Sequence, residues 1–232
     1  MEGASAVAAR NRERMFERRI IHWCAPTLAG AKPANLFTFV FEDGPACRSC
    51  PADGCRELSH RAFSQALKSC RQRLHPAGIG VDALTVRKNG ALLFVYRKDL
   101  LRERLQEPLT AAFLMERGYN PFDERGCLWE MARRIRRMDG AARPDGRALF
   151  PHEIGLLLGY PYQDVVAFMD NRCDGVRAGA WMAYDDVEQA QACACRYRRC
   201  RYLCEELDRR GVPLEQLARM DEASMEAAVC AA

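Results

Sequence analysis

Cysteine is the residue type with the most chemical potential in this chain, twelve of them in 232 residues. One group has the spacing Cys47-x2-Cys50-x4-Cys55-x4-His60, that of a zinc knuckle with the last two ligand types exchanged. Three thiolates and one imidazole suffice to surround Zn²⁺ tetrahedrally, and four protein ligands leave no open position, so zinc here would be structural. The glycines and aromatics that shape a knuckle are largely missing, and the competing reading is a thiol-bearing surface loop. In a second group, Cys193-x-Cys195-x4-Cys200-x3-Cys204, the residues Cys193, Cys200 and Cys204 lie with Tyr197 and Leu207 on one helical stripe. Buried cysteine behaves as a small hydrophobe, so that stripe reads as core.

Cys24, in Trp23-Cys24-Ala25-Pro26, is the candidate nucleophile. Pro26 reads as the first turn of a short helix that Gly30 ends, which would place Cys24 where a helix N-terminus favours the thiolate. The other reading is an inert buried thiol. The run Phe150-Pro151-His152-Glu153-Ile154-Gly155-Leu156-Leu157-Leu158-Gly159-Tyr160-Pro161 opens an apolar helix with a polar pair, and His152 is the candidate base. It is not a zincin, because Leu156 stands where the second histidine belongs. Candidate ligand-binding residues are therefore Cys24, Thr27, Lys32, His152, Glu153 and Tyr160. No phosphate-binding glycine loop, serine elbow or kinase signature is present.

The elements that would position these residues read as an α+β fold, a small antiparallel or mixed sheet covered by several helices. Residues 35–41 are strand-like. Residues 56–74 carry helical spacing through Leu58, Ala62, Phe63, Ala66, Leu67 and Cys70. Asn89-Gly90 suits a type I′ turn for an 81–97 hairpin, pairing Val86 with Leu93 and Leu84 with Val95. Two or three helices follow over 99–138, broken at Gly118–Pro121. Short helices over 151–158 and 161–169, a strand over 181–184 and a long helix over 185–210 complete the order. Residues 1–14 are expected to be a mobile leader, with Met15 an alternative start. Residues 15–220 form one domain with a cysteine-rich insert at 42–55, and 221–232 a tail.

Composition bounds the function more than it defines it. The apolar share of 49% and charged share of 28% are those of a globular chain. No apolar run is long enough to span a membrane, and the arginine-rich start lacks the apolar segment of a secretory signal. A cytoplasmic location with reduced thiols follows as the expectation. Net charge is +4 with pI ≈ 8.5, and only four lysines accompany the arginines. That bias weakens any argument from Arg clusters, so nucleic acid is disfavoured as a partner.

Four segments carry a family resemblance: Cys24–Phe37 (CAPTLAGAKPANLF), Leu92–Arg97 (LLFVYR), Phe150–Pro161, and Trp181-x-x-Tyr184 followed by a helix with Tyr197 and Cys200. Together they resemble the domain of unknown function 3793 family, which has no established activity. The company its genes keep, flavodoxin and ferrous-iron transport genes, implies iron or redox physiology. The Cys47–Cys55 insert lies outside the usual motif, and Met182 and Ala183 are less polar than the family pattern. Three functions are then open. The first is a binding or accessory protein holding a metal, cofactor or small redox ligand, its partner being that small ligand or a redox protein. The second is a thiol enzyme with Cys24 as nucleophile and His152 as base. The third is an RNA- or protein-interaction module built on the Arg-rich helices.

Overall fold

The computed structural model describes residues 2–41, 52–138 and 149–231, with side chains described over 10–41, 60–138 and 149–231. The chain opens with α1 (Glu2–Leu28), then β1 (Ala34–Val40), α2 (Ala52–Leu74) and the hairpin β2 (Ile79–Arg87) and β3 (Gly90–Arg97). Three helices follow, α3 (Lys98–Gln106), α4 (Pro108–Glu116) and α5 (Glu124–Met138). Next come α6 (Ile154–Leu157), α7 (Tyr162–Met169) and a small hairpin, β4 (Val176–Ala178) and β5 (Trp181–Ala183). The chain ends with α8 (Val187–Arg209), α9 (Leu214–Leu217) and α10 (Glu222–Cys230). This is an α+β fold, and its main sheet is wholly antiparallel in the order β1-β3-β2.

The central strand is apolar on both faces, and each face has its own core. On one side Ala91, Leu93 and Val95 meet a stripe of α1 (Phe16, Ile20, Cys24, Leu28), with α2 and α8 completing the layer. On the other side Phe94 and Tyr96 meet Leu101, Leu114, Met131 and Leu157 from α3–α6. A smaller cluster joins Trp181 and Ala183 of β5 to Ala190 of α8. Along the stripe of α8, Cys200, Cys204 and Leu207 are core as expected, whereas Cys193 and Tyr197 are only partly buried.

The 81–97 hairpin forms, but in a different register. Arg87 pairs with Gly90, Val86 with Ala91 and Val81 with Val95, so the turn is Lys88-Asn89 and the expected Val86–Leu93 and Leu84–Val95 pairs do not occur. Neither Lys88 nor Asn89 has a positive φ, which rules out the type I′ turn. The glycine is needed elsewhere: a Cβ on Gly90 would stand 2.5 Å from the Phe39 carbonyl oxygen of the neighbouring strand. The ladder shifts between Ala83 and Thr85, and this irregularity turns Leu84 towards the second core.

The other correction concerns the N-terminal third. No short helix begins at Pro26. One helix runs from Glu2 through Pro26 to Leu28, and its amphipathic stripe of period four is the stronger determinant. Arg14 of this helix binds the Asp208 carboxylate, and Glu13 accepts from Ser69, so the end of the expected leader is tied to the body. The expected tail contains α10, whose Met225 is buried against Cys204.

Arg97, the last residue of β3, holds the C-terminal end of α1. Its Nε–H donates to the Thr27 carbonyl at 2.8 Å, and its terminal nitrogen reaches the carbonyls of Leu28 and, at 2.9 Å, Ala218. A guanidinium there satisfies helix-end carbonyls that α1 itself cannot. A lysine has one donor centre and no fork. Arg97→Lys is expected to lower stability by about 2–3 kcal/mol in urea unfolding, with an unchanged m value.

Candidate functional site

The α6–α7 corner organises the site. Gly159 ends α6 at φ +82, where a Cβ would also stand 2.6 Å from Pro33 Cδ. The close approach brings the loop after α1 against Tyr160, and Pro161 then starts α7. Asp164, in the first turn of α7, is buried and accepts the Trp181 indole N–H at 3.0 Å and the Tyr184 backbone N–H at 2.7 Å. One carboxylate thus fixes both named residues of the Trp181-x-x-Tyr184 segment. Sequence reading missed this residue, because an acidic side chain in a first turn reads as a response to the helix dipole.

Trp181 stacks on Tyr160 with centroids 4.9 Å apart and planes inclined by 18°. Beside this pair lies a cleft of about 440 Å³, lined among others by Phe150, His152, Phe168, Arg177 and Met182. The His152 ring meets Phe168 edge-on at 4.9 Å. Arg177, exposed at the edge of the cleft on β4, has only a 3.4 Å contact with the Gly179 carbonyl and no carboxylate partner among the described residues.

Lys32 lies behind the aromatic wall. It is 5% exposed, with its Nζ 5.0 Å from the Tyr160 ring centroid and 5.3 Å from that of Tyr197. No ion pair compensates it among the described residues; the one charge interaction found is with the Cys24 thiol. Burial draws the amine down to about 8 from its ordinary 10.5. Burial likewise pushes the Tyr160 and Tyr197 phenols up to about 12.

The remaining candidates are not gathered into this cleft. Cys24 is fully buried in the first core, near the C-terminal end of α1 rather than at a helix start. Burial, and then Cys70 nearby, push its thiol well above the ordinary value, the reverse of activation. His152 lines a cleft floored by Leu36 and Ile154, residues of the second core. The three-stranded sheet therefore stands between the two groups, and the expected Cys24–His152 dyad fails because a base must reach its proton. Thr27 donates to Asn35 Oδ1 at 2.8 Å. Glu153 is buried and accepts from the Tyr119 hydroxyl at 3.0 Å and Arg134 at 3.1 Å, a bond set that joins α6 to α5.

Cys47 and Cys50 lie outside the described residues. Cys55 falls within α2, and the His60 ring packs against Phe41 at 4.6 Å. Among the described residues no group of three or more His, Cys, Asp or Glu side chains is placed to hold a metal. Two arginines of α8 are engaged in ion pairs with α10, Arg196 with Glu222 and Arg199 with Glu226, whereas Arg201 lies 5.9 Å over the Trp23 ring with its Nε unpartnered among the described residues.

Residues 20–218 match the family described as "Protein of unknown function (DUF3793)". The chain belongs to that family. No curated protein and no solved structure matches it. Among the described residues, no helix is long and apolar enough to cross a membrane. The segments that carry the DUF3793 resemblance meet in the fold. Lys32 of the first touches Tyr160 of the third and Tyr197 of the last, Trp181 stacks on Tyr160, and Arg97 of the second binds the carbonyls of Thr27 and Leu28.

The Lys32 amine gives a pH signature with a definite sign. Its folded value lies below its unfolded one, so between pH 8 and pH 10.5 the unfolded chain binds the proton and the folded chain does not. The penalty is full below pH 8 and is relieved as pH rises. Relative to a Lys32→Met variant, the wild type should gain roughly 2–3 kcal/mol between pH 7.5 and pH 10 in urea unfolding. A flat difference would show that the ammonium is not desolvated.

Proposed function

We propose that this DUF3793 member is a binding or accessory protein that holds a small, planar, negatively charged organic molecule in the cleft beside Tyr160 and Trp181. The volume, about 440 Å³, lies within the range of small-molecule sites. The carrying observation is a charge pattern: an aromatic cleft with one cation behind its wall, Lys32, and one at its edge, Arg177, neither with a carboxylate partner among the described residues. The one carboxylate among the described lining residues, Asp164, has its oxygens taken by Trp181 and Tyr184. An uncompensated buried ammonium is costly, and an anion in the cleft would offset part of that cost. The rings supply flat apolar surface, and Arg177 supplies a fork suited to a carboxylate or phosphate. Planar anionic redox cofactors meet this description, consistent with the physiology that the family resemblance implies. Among the described residues, His152 and Asp164 are the only side chains of metal-ligand type lining the cleft, fewer than a bare ion needs, so an organic ligand is the better fit.

The test is native mass spectrometry of protein purified without oxygen, paired with titration by flavin mononucleotide and by the planar anionic dye 8-anilinonaphthalene-1-sulfonate. A bound organic mass, or one-to-one saturable quenching of tryptophan fluorescence, is expected. Arg177→Ala should weaken probe binding about tenfold. Affinity should also fall as pH rises through about 8, where Lys32 loses its charge. No bound mass, with neither probe saturating, would refute the assignment.

A further inference from the structure

A second cavity shares no residue with the Trp181 cleft. It is a groove of about 750 Å³ between the outer side of β2 and α5, closed at one end by the start of α3. Its lining carries the cations Arg71, Lys98, Arg102, Arg125 and Arg136, with His75, against the carboxylates Asp82, Asp123 and Glu124. Each carboxylate is already engaged. Asp82 accepts from Arg71 at 2.9 Å and from the Tyr96 hydroxyl at 3.1 Å, Asp123 accepts the Gly126 N–H at 3.0 Å, and Glu124 lies 3.7 Å from Arg102. Lys98 and Arg125 also stand near Glu124, so one half-buried carboxylate faces three cations.

The strand itself is not available as a template. Arg71 donates to the Val81 carbonyl at 2.5 Å and Arg136 to the Leu84 carbonyl at 2.9 Å, which blocks pairing by an added strand. Recognition here must use side chains. Two of those are large exposed rings, Phe122 at 69% and Trp129 at 63% exposure. Neither ring contributes to a core, and both belong to the groove. Cations beside exposed aromatic rings are the pairing that holds a phosphate and stacks a base.

We infer that this groove binds nucleotides, either free or as units of a single strand, with the phosphate at Lys98, Arg102 and Arg125 and the base on Trp129 or Phe122. The local excess of positive charge selects the anion, and the rings set nucleotides apart from inorganic phosphate. The basic helix α8 is the contrasting case: its Arg196 and Arg199 pair with Glu222 and Glu226 of α10, and the cavity they line contains no aromatic ring.

The experiment is fluorescence anisotropy with a labelled mononucleotide and a labelled oligothymidine of roughly 12 nucleotides, at about 50 and 200 mM salt. Saturable binding of either probe is expected; the mononucleotide alone would identify a free nucleotide, and the oligomer alone a single strand. Trp129→Ala, a surface change, should weaken binding at least fivefold. Arg102→Ala with Arg125→Ala should weaken it and reduce the salt slope by about 1.4 for the oligomer. Arg196→Ala with Arg199→Ala should leave it unchanged. The inference fails if neither probe saturates at the lower salt, if Trp129→Ala binds as well as wild type, or if the α8 variant loses as much as the groove variants.

Discussion

Strand β3 has no wet face, and much of the architecture follows from that. Antiparallel sheets commonly leave one side to solvent. Here Ala91, Leu93 and Val95 demand cover on one side while Phe94 and Tyr96 demand it on the other. Helices α1, α2 and α8 meet the first demand and α3–α6 the second. The sheet becomes a partition, and groups on its two sides cannot react with each other. A cysteine on the α1 stripe belongs to one compartment by packing alone, whatever its sequence neighbours suggest. A histidine at the start of the α6 segment belongs to the other.

The loop joining α1 to β1 connects the compartments. It carries Pro33 to the glycine that ends α6, and Lys32 to the rings of Tyr160 and Tyr197. An ammonium with little solvent and no carboxylate partner among the described residues is an unusual thing to retain. Facing rings recover part of the lost hydration, since the ring quadrupole attracts a cation. They do so less completely than an anion would, and the difference supports a charged ligand on the far side of the same wall.

Much of the chain was legible because its punctuation is local. Proline and glycine delimit α4, α6 and α7, where a missing N–H or a positive φ acts within a few residues. The hairpin was legible and its register was not. Asn89-Gly90 is a turn signal only if the turn needs the glycine, and here Gly90 is required by the carbonyl of Phe39, a strand that sequence order does not place beside it. Lys32, His152 and Tyr160 could be singled out by type, but their grouping could not, since it depends on which side of the sheet each lies. Arg177 carried no signal against an arginine-rich background, and Asp164 looked like an ordinary helix-start residue.

The distribution of thiols shapes how the molecule would age in air. Cys24, Cys70, Cys127, Cys200 and Cys204 are buried with their protons held tightly, whereas Cys173, Cys195 and Cys230 face solvent. Oxidants act on exposed thiolates first. Peroxide or trace copper would therefore mark the periphery and tie molecules to one another through intermolecular bridges, while the interior kept its shape. Turbidity would precede any loss of helix, and a thiol reductant would reverse it.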